Sequence, residues 1–297
     1  IIRLYLPRLF TVDLSQVVLL LASLIGSRLA VGSISVFSLG FDIQAMPVGV
    51  FAFAVATAAF PYLAEYFGAE DEVGFAHLLR ESVVRILFYM MPVAVALLLM
   101  RAQAVRILYG AGQFGWEDTI ATFEVLGVLA FSLAGQSLMP LFSRALLARR
   151  KTWAPVGANI VSMIITIMFG YWLAPMHGIT GVAAAYVIGV TCNAGLLYIL
   201  LRSSLAETKA GERALHVEEN ALANLVSKII VASACFGVAL YGGLYGGALV
   251  TDTHTWLGLV LQSLIASACG GVVYLLVSAV SGLPDAKYVV AKLVSKK

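Results

Sequence analysis

The chain alternates between long apolar runs and short polar interruptions, and run length decides what the runs are. A helix that crosses a bilayer needs about 20 consecutive, mostly apolar residues. Eight stretches meet that requirement: Leu9–Ile25, Ile34–Tyr62, Val83–Met100, Thr119–Phe142, Pro155–Trp172, Ile179–Leu201, Leu225–Leu249 and Trp256–Val280. The pattern predicts an all-α polytopic membrane protein with eight transmembrane helices. The second stretch is longer than a bilayer requires, and Pro47 and Gly49 near its middle predict a helix bend or break.

The polar interruptions are unequal. The longest, Arg202 to Asn224, carries Glu207, Lys209, Glu212, Arg213, Glu218 and Glu219. It divides the chain into a six-helix lobe over 1–201, a polar cytoplasmic linker over 202–224, and a two-helix hairpin with a basic tail over 225–297. The segment Glu65 to Glu81 is the other sizeable connection on the same side, and its acids read as a solvated face. The last two spans hold no acid but are rich in small residues, with Ser233 and Gly237 on one and Ser263, Ser267 and Gly271 on the other. Small residues four apart let helices approach closely. The pair is expected to pack as a hairpin with an apolar surface, either a groove for a lipid tail or a stabilising buttress.

Composition agrees with the span count. The 297 residues are 61% hydrophobic and 12% charged, with a mean hydropathy of +0.95, against about 25% charged in soluble domains. A soluble globule, a disordered chain and a disulfide scaffold are excluded. The net charge of +3 is too small to argue for a nucleic-acid partner, but its distribution is informative. Sixteen of the nineteen Lys and Arg residues fall in alternate connections on one side, leaving Arg28, Arg101 and Arg106 for the other. Such an excess marks the cytoplasmic side, so both ends of the chain are expected in the cytoplasm. The segment Arg3-Leu4-Tyr5-Leu6-Pro7 reads as the approach to a helix in mid-protein, and the chain is expected to be part of a longer one.

Cys192, Cys235 and Cys269 lie singly in apolar runs, and His77, His177, His216 and His254 fall in loops or span ends without ligand spacing. No HExxH, GxxxxGK[ST], GxSxG or GxGxxG motif occurs. The chain is therefore not read as an enzyme, and no cofactor or metal is implied. If work is done, a coupling monovalent cation or the membrane potential must drive it.

Ionisable and polar residues inside spans tend to face a bundle interior or a wet cavity. The acids in question are Asp13, Asp42 and Glu124, the first and last of them near span ends. Ser35, Ser38 and Asp42 share one helical face of the second span; Asp13, Gln16, Ser23 and Ser27 share one on the first; Asn159, Ser162, Thr166 and Gly170 share one on the fifth. The stripes either line a hydrophilic cavity or hydrogen-bond helices together. Asp42 lies too deep for so short a side chain to reach the interface, which favours a cavity. Arg28 is either a snorkelling guanidinium or a phosphate contact. Arg101 and Arg106 read as outer-loop residues without a ligand.

Several runs, taken in order, resemble the MurJ (MviN) family of lipid II flippases in the MOP exporter superfamily. They are Leu6-Pro7 with Ser15-Gln16; Gly32-Ser33-Ile34-Ser35; Pro47-Val48-Gly49-Val50-Phe51 with Ala54-Val55-Ala56-Thr57 and Pro61-Tyr62-Leu63; and Leu108-Tyr109-Gly110-Ala111-Gly112-Gln113-Phe114 with Asp118-Thr119. Ser143-Arg144-Ala145 through Ala148-Arg149 to Pro155, and Gly178 to Ala185, continue the series.

The resemblance implies fourteen helices in two six-helix lobes plus a pair that forms a groove for a polyprenyl tail. This chain would be the second lobe and that pair, and the first lobe would be a missing partner. Its substrate would be lipid II, the lipid-linked peptidoglycan precursor used in cell-wall synthesis, moved by alternating access. Ser35 matches a cavity-lining serine of the family. Where the family carries a cavity arginine, this sequence has Asp42, a charge reversal that must be compensated, and a cation-binding acid used by some members aligns with Ala22. The expected cavity-lining set is Gln16, Ser23, Arg28, Ser35, Ser38, Asp42 and Asn159. The alternatives are an exporter of another polyprenyl-linked glycan or of a cationic small molecule, which Asp42 suits, and a non-transporting scaffold for cell-wall synthesis.

Overall fold

The computed structural model describes residues 20, 24, 32–110, 116–250 and 255–286, and every regular element among them is helical. The helices are α1 (Ser33–Gly68), α2 (Glu72–Leu99), α3 (Arg101–Tyr109), α4 (Trp116–Ala130), α5 (Leu133–Ala148), α6 (Trp153–Leu205), α7 (Lys209–Val250) and α8 (Trp256–Val280). Five are long and apolar enough to cross a membrane, and the pair α4–α5, bent by 50°, makes a sixth candidate span. The first span expected from the sequence, Leu9–Ile25, lies almost wholly outside the described residues, so the count of eight is not decided by them.

Three elements depart from a straight single helix, each for a local reason. Helix α1 does not break at Pro47; it continues through a π turn, Val48–Ala52. Proline supplies no N–H to the regular ladder, and a π turn absorbs one extra residue. The buried stripe shows the effect: Phe37, Phe41 and Gln44 continue as Val48, Ala52 and Ala56, then Ala59 and Leu63. The consecutive four-residue steps from Gln44 to Ala56 span the wide turn, which keeps one face of α1 on the core.

The stretch Thr119–Phe142 is two helices rather than one. At the joint, the Ser132 hydroxyl donates to the Leu129 carbonyl at 2.7 Å, a local bond of the kind that competes with the helical ladder. Helix α6 is one helix of 53 residues in name only, because Gly178 has φ 60° and ψ −137°. In a straight helix Asn159 and Asn193 would stand roughly 51 Å apart, yet Asn193 Nδ2 donates to Asn159 Oδ1 at 2.6 Å. The chain therefore reverses at Gly178, where glycine alone accepts the left-handed geometry without strain. The arms, 153–177 and 179–205, close on each other so tightly that a Cβ on Gly189 would collide with Thr166 Oγ1.

The polar segments expected as loops are largely helical. Only Ala69 to Asp71 separates α1 from α2, and the Asp71 side chain caps α2 by accepting from the Gly74 N–H at 2.9 Å. Likewise α7 begins at Lys209, so most of the 202–224 segment is helix. That extension is tied down by charge: Glu218 pairs with Arg80 at 2.7 Å, and Glu219 with Arg202 at 2.8 Å.

Helices α7 and α8 form the expected hairpin, with Gly243 against the Ala266 backbone and Gly270 against Phe236. The hairpin also packs along α2. Gly237 faces Val95 and Leu99 of α2, while Gly271 faces open space. The Tyr274 hydroxyl donates to the Phe88 carbonyl at 2.6 Å, and Trp256 Nε1 donates to the Ile107 carbonyl at 3.1 Å. These contacts tie the hairpin to α2 and α3. The larger core cluster joins the second half of α1 to α2, α5, α6, α7 and α8; a second joins the first half of α1 to α4 and α6.

Candidate functional site

Helix α1 has two unlike sides. Phe37, Phe41 and Gln44 are buried against α4, α5 and α6, with Phe41 edge-on to Tyr186 at 5.4 Å. Ser35 and Asp42 are exposed on the other side, and Ser38 is half-buried beside them. Beyond the π turn the open side continues through Ala54, Thr57, Ala58 and Pro61. One wall of α1 is thus uncovered by the described residues, polar in its first half and apolar with a single hydroxyl in its second. Pro47 is half-buried and Gly49 exposed at the turn between the halves.

Asp42 stands close enough to the end of α3 to act on Tyr109. Burial pushes the Tyr109 phenol above its usual range, and the Asp42 carboxylate adds to the rise. Glu124 is exposed on α4. Arg101 and Arg106, expected as outer-loop residues without a ligand, lie on the short helix α3, over the rings of Phe123 at 5.5 Å and Trp116 at 5.8 Å. Gln16, Ser23, Arg28 and Asp13 fall outside the described residues.

The stripe on the fifth span is placed differently from that on α1. Asn159 accepts from Asn193, the Thr166 hydroxyl donates to the Ser162 carbonyl at 2.8 Å, and Ser162, Thr166 and Gly170 are buried. The Asn193–Asn159 bond ties the two arms of α6 together, while the Thr166–Ser162 bond stays within the first arm. Of the seven residues expected to line a cavity, Ser35, Ser38 and Asp42 are brought together on the open wall of α1, and Asn159 stands at a helix contact.

Two polar clusters escaped the sequence reading. Gln44, fully buried, donates from Nε2 to Ser132 Oγ at 3.0 Å and to Gln136 Oε1, tying α1 to the bend between α4 and α5. Its signal was helical phase, since Gln44 shares a face with Phe37 and Phe41 rather than with Asp42. The second cluster centres on Arg149, which counted only as a loop cation in the sequence but is 5% exposed. It grips the Glu72 carboxylate at 2.6 Å and 3.1 Å, donates to Ser204 Oγ and to the Ser204 carbonyl, and lies over the rings of Phe67 and Phe75. No signal in the sequence separates it from Arg150, its exposed neighbour. Among the described residues no cluster of three or more His, Cys, Asp or Glu could hold a metal ion.

Comparison with known proteins places this arrangement. A family model described as "Lipid II flippase MurJ" matches residues 1–279. The chain is 28% identical over 251 residues to a probable lipid II flippase MurJ of Thermotoga maritima, covering 84% of this chain and 48% of that protein. It is 29% identical over 202 residues to the corresponding protein of Haemophilus influenzae, covering 66% of this chain and 39% of the relative. A solved structure, a lipid II flippase MurJ in an inward closed conformation, superposes with a TM-score of 0.69 at 22% identity, over 90% of this chain and 51% of that one. The chain spans less than half the length of these curated relatives. The fold is that of a multi-pass, all-helical membrane protein, and the chain belongs to the MurJ family.

Proposed function

We propose that this chain is the second lobe and terminal hairpin of a flippase that moves lipid II across the bacterial inner membrane by alternating access. Family membership supports the substrate. The observation that carries the mechanism is the two-sided α1, with one face packed on its own lobe and the other, bearing Ser35 and Asp42, left uncovered by the described residues. Polar groups at membrane depth are tolerated where they line a wet cavity, and a first lobe facing this wall would complete one. Rocking of one lobe against the other then exposes the cavity to each side in turn, as in repeat-built transporters.

The domain division follows from that reading: residues 1–201 form the lobe, 202–224 the cytoplasmic connection, and 225–297 the hairpin along which a polyprenyl tail stays in lipid. On the same reading both ends of the chain are cytoplasmic, the expected partners are lipid II, membrane lipid and the first lobe, and a monovalent cation or the membrane potential supplies the energy.

The test is lipid II exposure at the outer face of cells depleted of their own flippase and supplied with the full-length gene containing this segment. An external enzyme that cleaves only exposed lipid II reads it. Restored cleavage is expected. Correct insertion without cleavage would sink the proposal in favour of an exporter of another glycan or of a cation, which the exposed Asp42 would suit.

A further inference from the structure

Arg144 and Arg149 are five residues apart on α5 and its cap, roughly 7.5 Å along the axis, yet they reach very different depths. Arg149 lies over Phe67 at the end of α1, at 5.2 Å. Arg144 lies over Phe53, at 5.5 Å, fourteen residues and roughly 21 Å further up α1. The two guanidiniums therefore diverge, Arg149 toward the basic end and Arg144 into the span. A helical side chain leans toward the helix N-terminus, which for α5 means away from the basic end. Arg144 does not snorkel to the interface.

Its partners are also unlike those of four other arginines near this end. Arg80, Arg85, Arg149 and Arg202 each reach a carboxylate. Among the described residues Arg144 reaches none, and its Nη1 is shielded from solvent with no hydrogen-bond partner among them. Phe53, the ring beneath it, is 48% exposed and flanks the open wall of α1. An unpaired guanidinium at membrane depth is costly unless an anion meets it, and its planar fork matches phosphate oxygens better than any other side chain.

We infer that Arg144, held over Phe53 at the edge of the open α1 wall, is a phosphate-contacting residue for the diphosphate of a lipid-linked substrate entering from the basic side. The inference rests on the flippase reading for its substrate, and it supplies a cation within the same lobe as the acid at Asp42. The acid stands eleven residues away from Phe53 on α1, roughly 17 Å along the axis, so the two charges act at different depths. The head group would be met by Arg144 before it passes Asp42.

The test uses the full-length protein in detergent, with farnesyl diphosphate and lipid II as probes and farnesol as the phosphate-free control. Wild type, Arg144→Lys and Arg144→Gln are compared by direct binding, and melting curves establish that each variant is folded. Loss of a charge-assisted contact predicts about tenfold weaker diphosphate binding in Arg144→Gln. The loss is smaller in Arg144→Lys, which keeps the charge but not the fork, and farnesol binding is unchanged in both. Absence of farnesyl diphosphate binding in wild type, or equal binding by wild type and Arg144→Gln, overturns the inference; so does a parallel loss for farnesol, which would make Arg144 a structural residue paired with the other lobe. Equal diphosphate binding alongside restored lipid II exposure in cells removes only the role of Arg144. Arg144-dependent diphosphate binding without exposure removes the flippase reading and leaves the site.

Discussion

The Arg149 guanidinium donates to both oxygens of the Glu72 carboxylate, and the pair closes the basic ends of four helices at one point. Arg149 belongs to the end of α5, Glu72 starts α2, Phe67 ends α1 and Ser204 ends α6. Both charged groups are largely withdrawn from water, with 3% and 11% side-chain exposure. Removing one partner strands the other in a poorly solvated site, which costs about 3 kcal/mol or more. Arg149→Met and Glu72→Gln are each expected to destabilise the protein by that order in denaturant titrations. The double variant should lose clearly less than the sum, because neither change then leaves a stranded charge. Additive losses would mean that the pair is not coupled.

The hairpin at Gly178 depends on close approach between its arms. A Cβ on Gly189 meets the Thr166 hydroxyl, and overpacking of this kind costs about 1–3 kcal/mol. Gly189→Ala should lower the melting temperature, and Thr166→Ala placed in the same chain should recover part of the loss by removing Oγ1. If the second change gave no recovery, the arms would not meet at this pair.

The hydrogen bond from Asn193 to Asn159 is the polar tie between the same arms. Interhelical bonds in membrane proteins contribute about 0.6 kcal/mol on average and rarely exceed about 1.7 kcal/mol. Asn193→Ala and Asn159→Ala are expected to cost similar amounts within that range, with a double-mutant cycle giving a coupling of about the same size. A loss of binding or transport in Asn159→Ala much larger than its loss of stability would instead give Asn159 a cavity role.

Two glycines of the hairpin make a paired control. A Cβ on Gly243 would lie 2.7 Å from the Ala266 Cα, which is backbone and cannot step aside, whereas Gly271 has nothing within 4 Å. Gly243→Val is expected to separate α7 from α8 and cost about 1–3 kcal/mol. Gly271→Val should be tolerated, as read by monodispersity and melting of the purified protein. The reverse order would place the helix contact on the wrong face.

Much of this architecture was legible in the chain because the relevant properties are local. Whether a stretch is long and apolar enough to cross a bilayer depends on its own residues, so six of the expected stretches coincide with described helices or helix arms, and Thr119–Phe142 falls on the bent pair α4–α5. The stop at Trp172 and restart at Ile179 match the reversal at Gly178. The excess of Lys and Arg on one side is equally local, and so is the order of motifs that resembles the MurJ family. The polar stripes were visible for the same reason, since residues three, four and seven apart share a helical face in any helix.

What those faces meet is a property of the assembled bundle. The stripes on α1 and on the first arm of α6 look alike in the chain, yet Ser35 and Asp42 are open while Ser162 and Thr166 are buried between arms. Arg144, Arg149 and Arg150 are close neighbours in one basic run, but the fold leaves the third on the surface. It seals the second against a carboxylate and two rings, and turns the first into the span over Phe53. Gln44 was hidden because its partners, Ser132 and Gln136, lie about ninety residues away and meet it only where α4 bends into α5. Burial and pairing depend on which helices become neighbours, and long-range packing sets that after each helix has already formed.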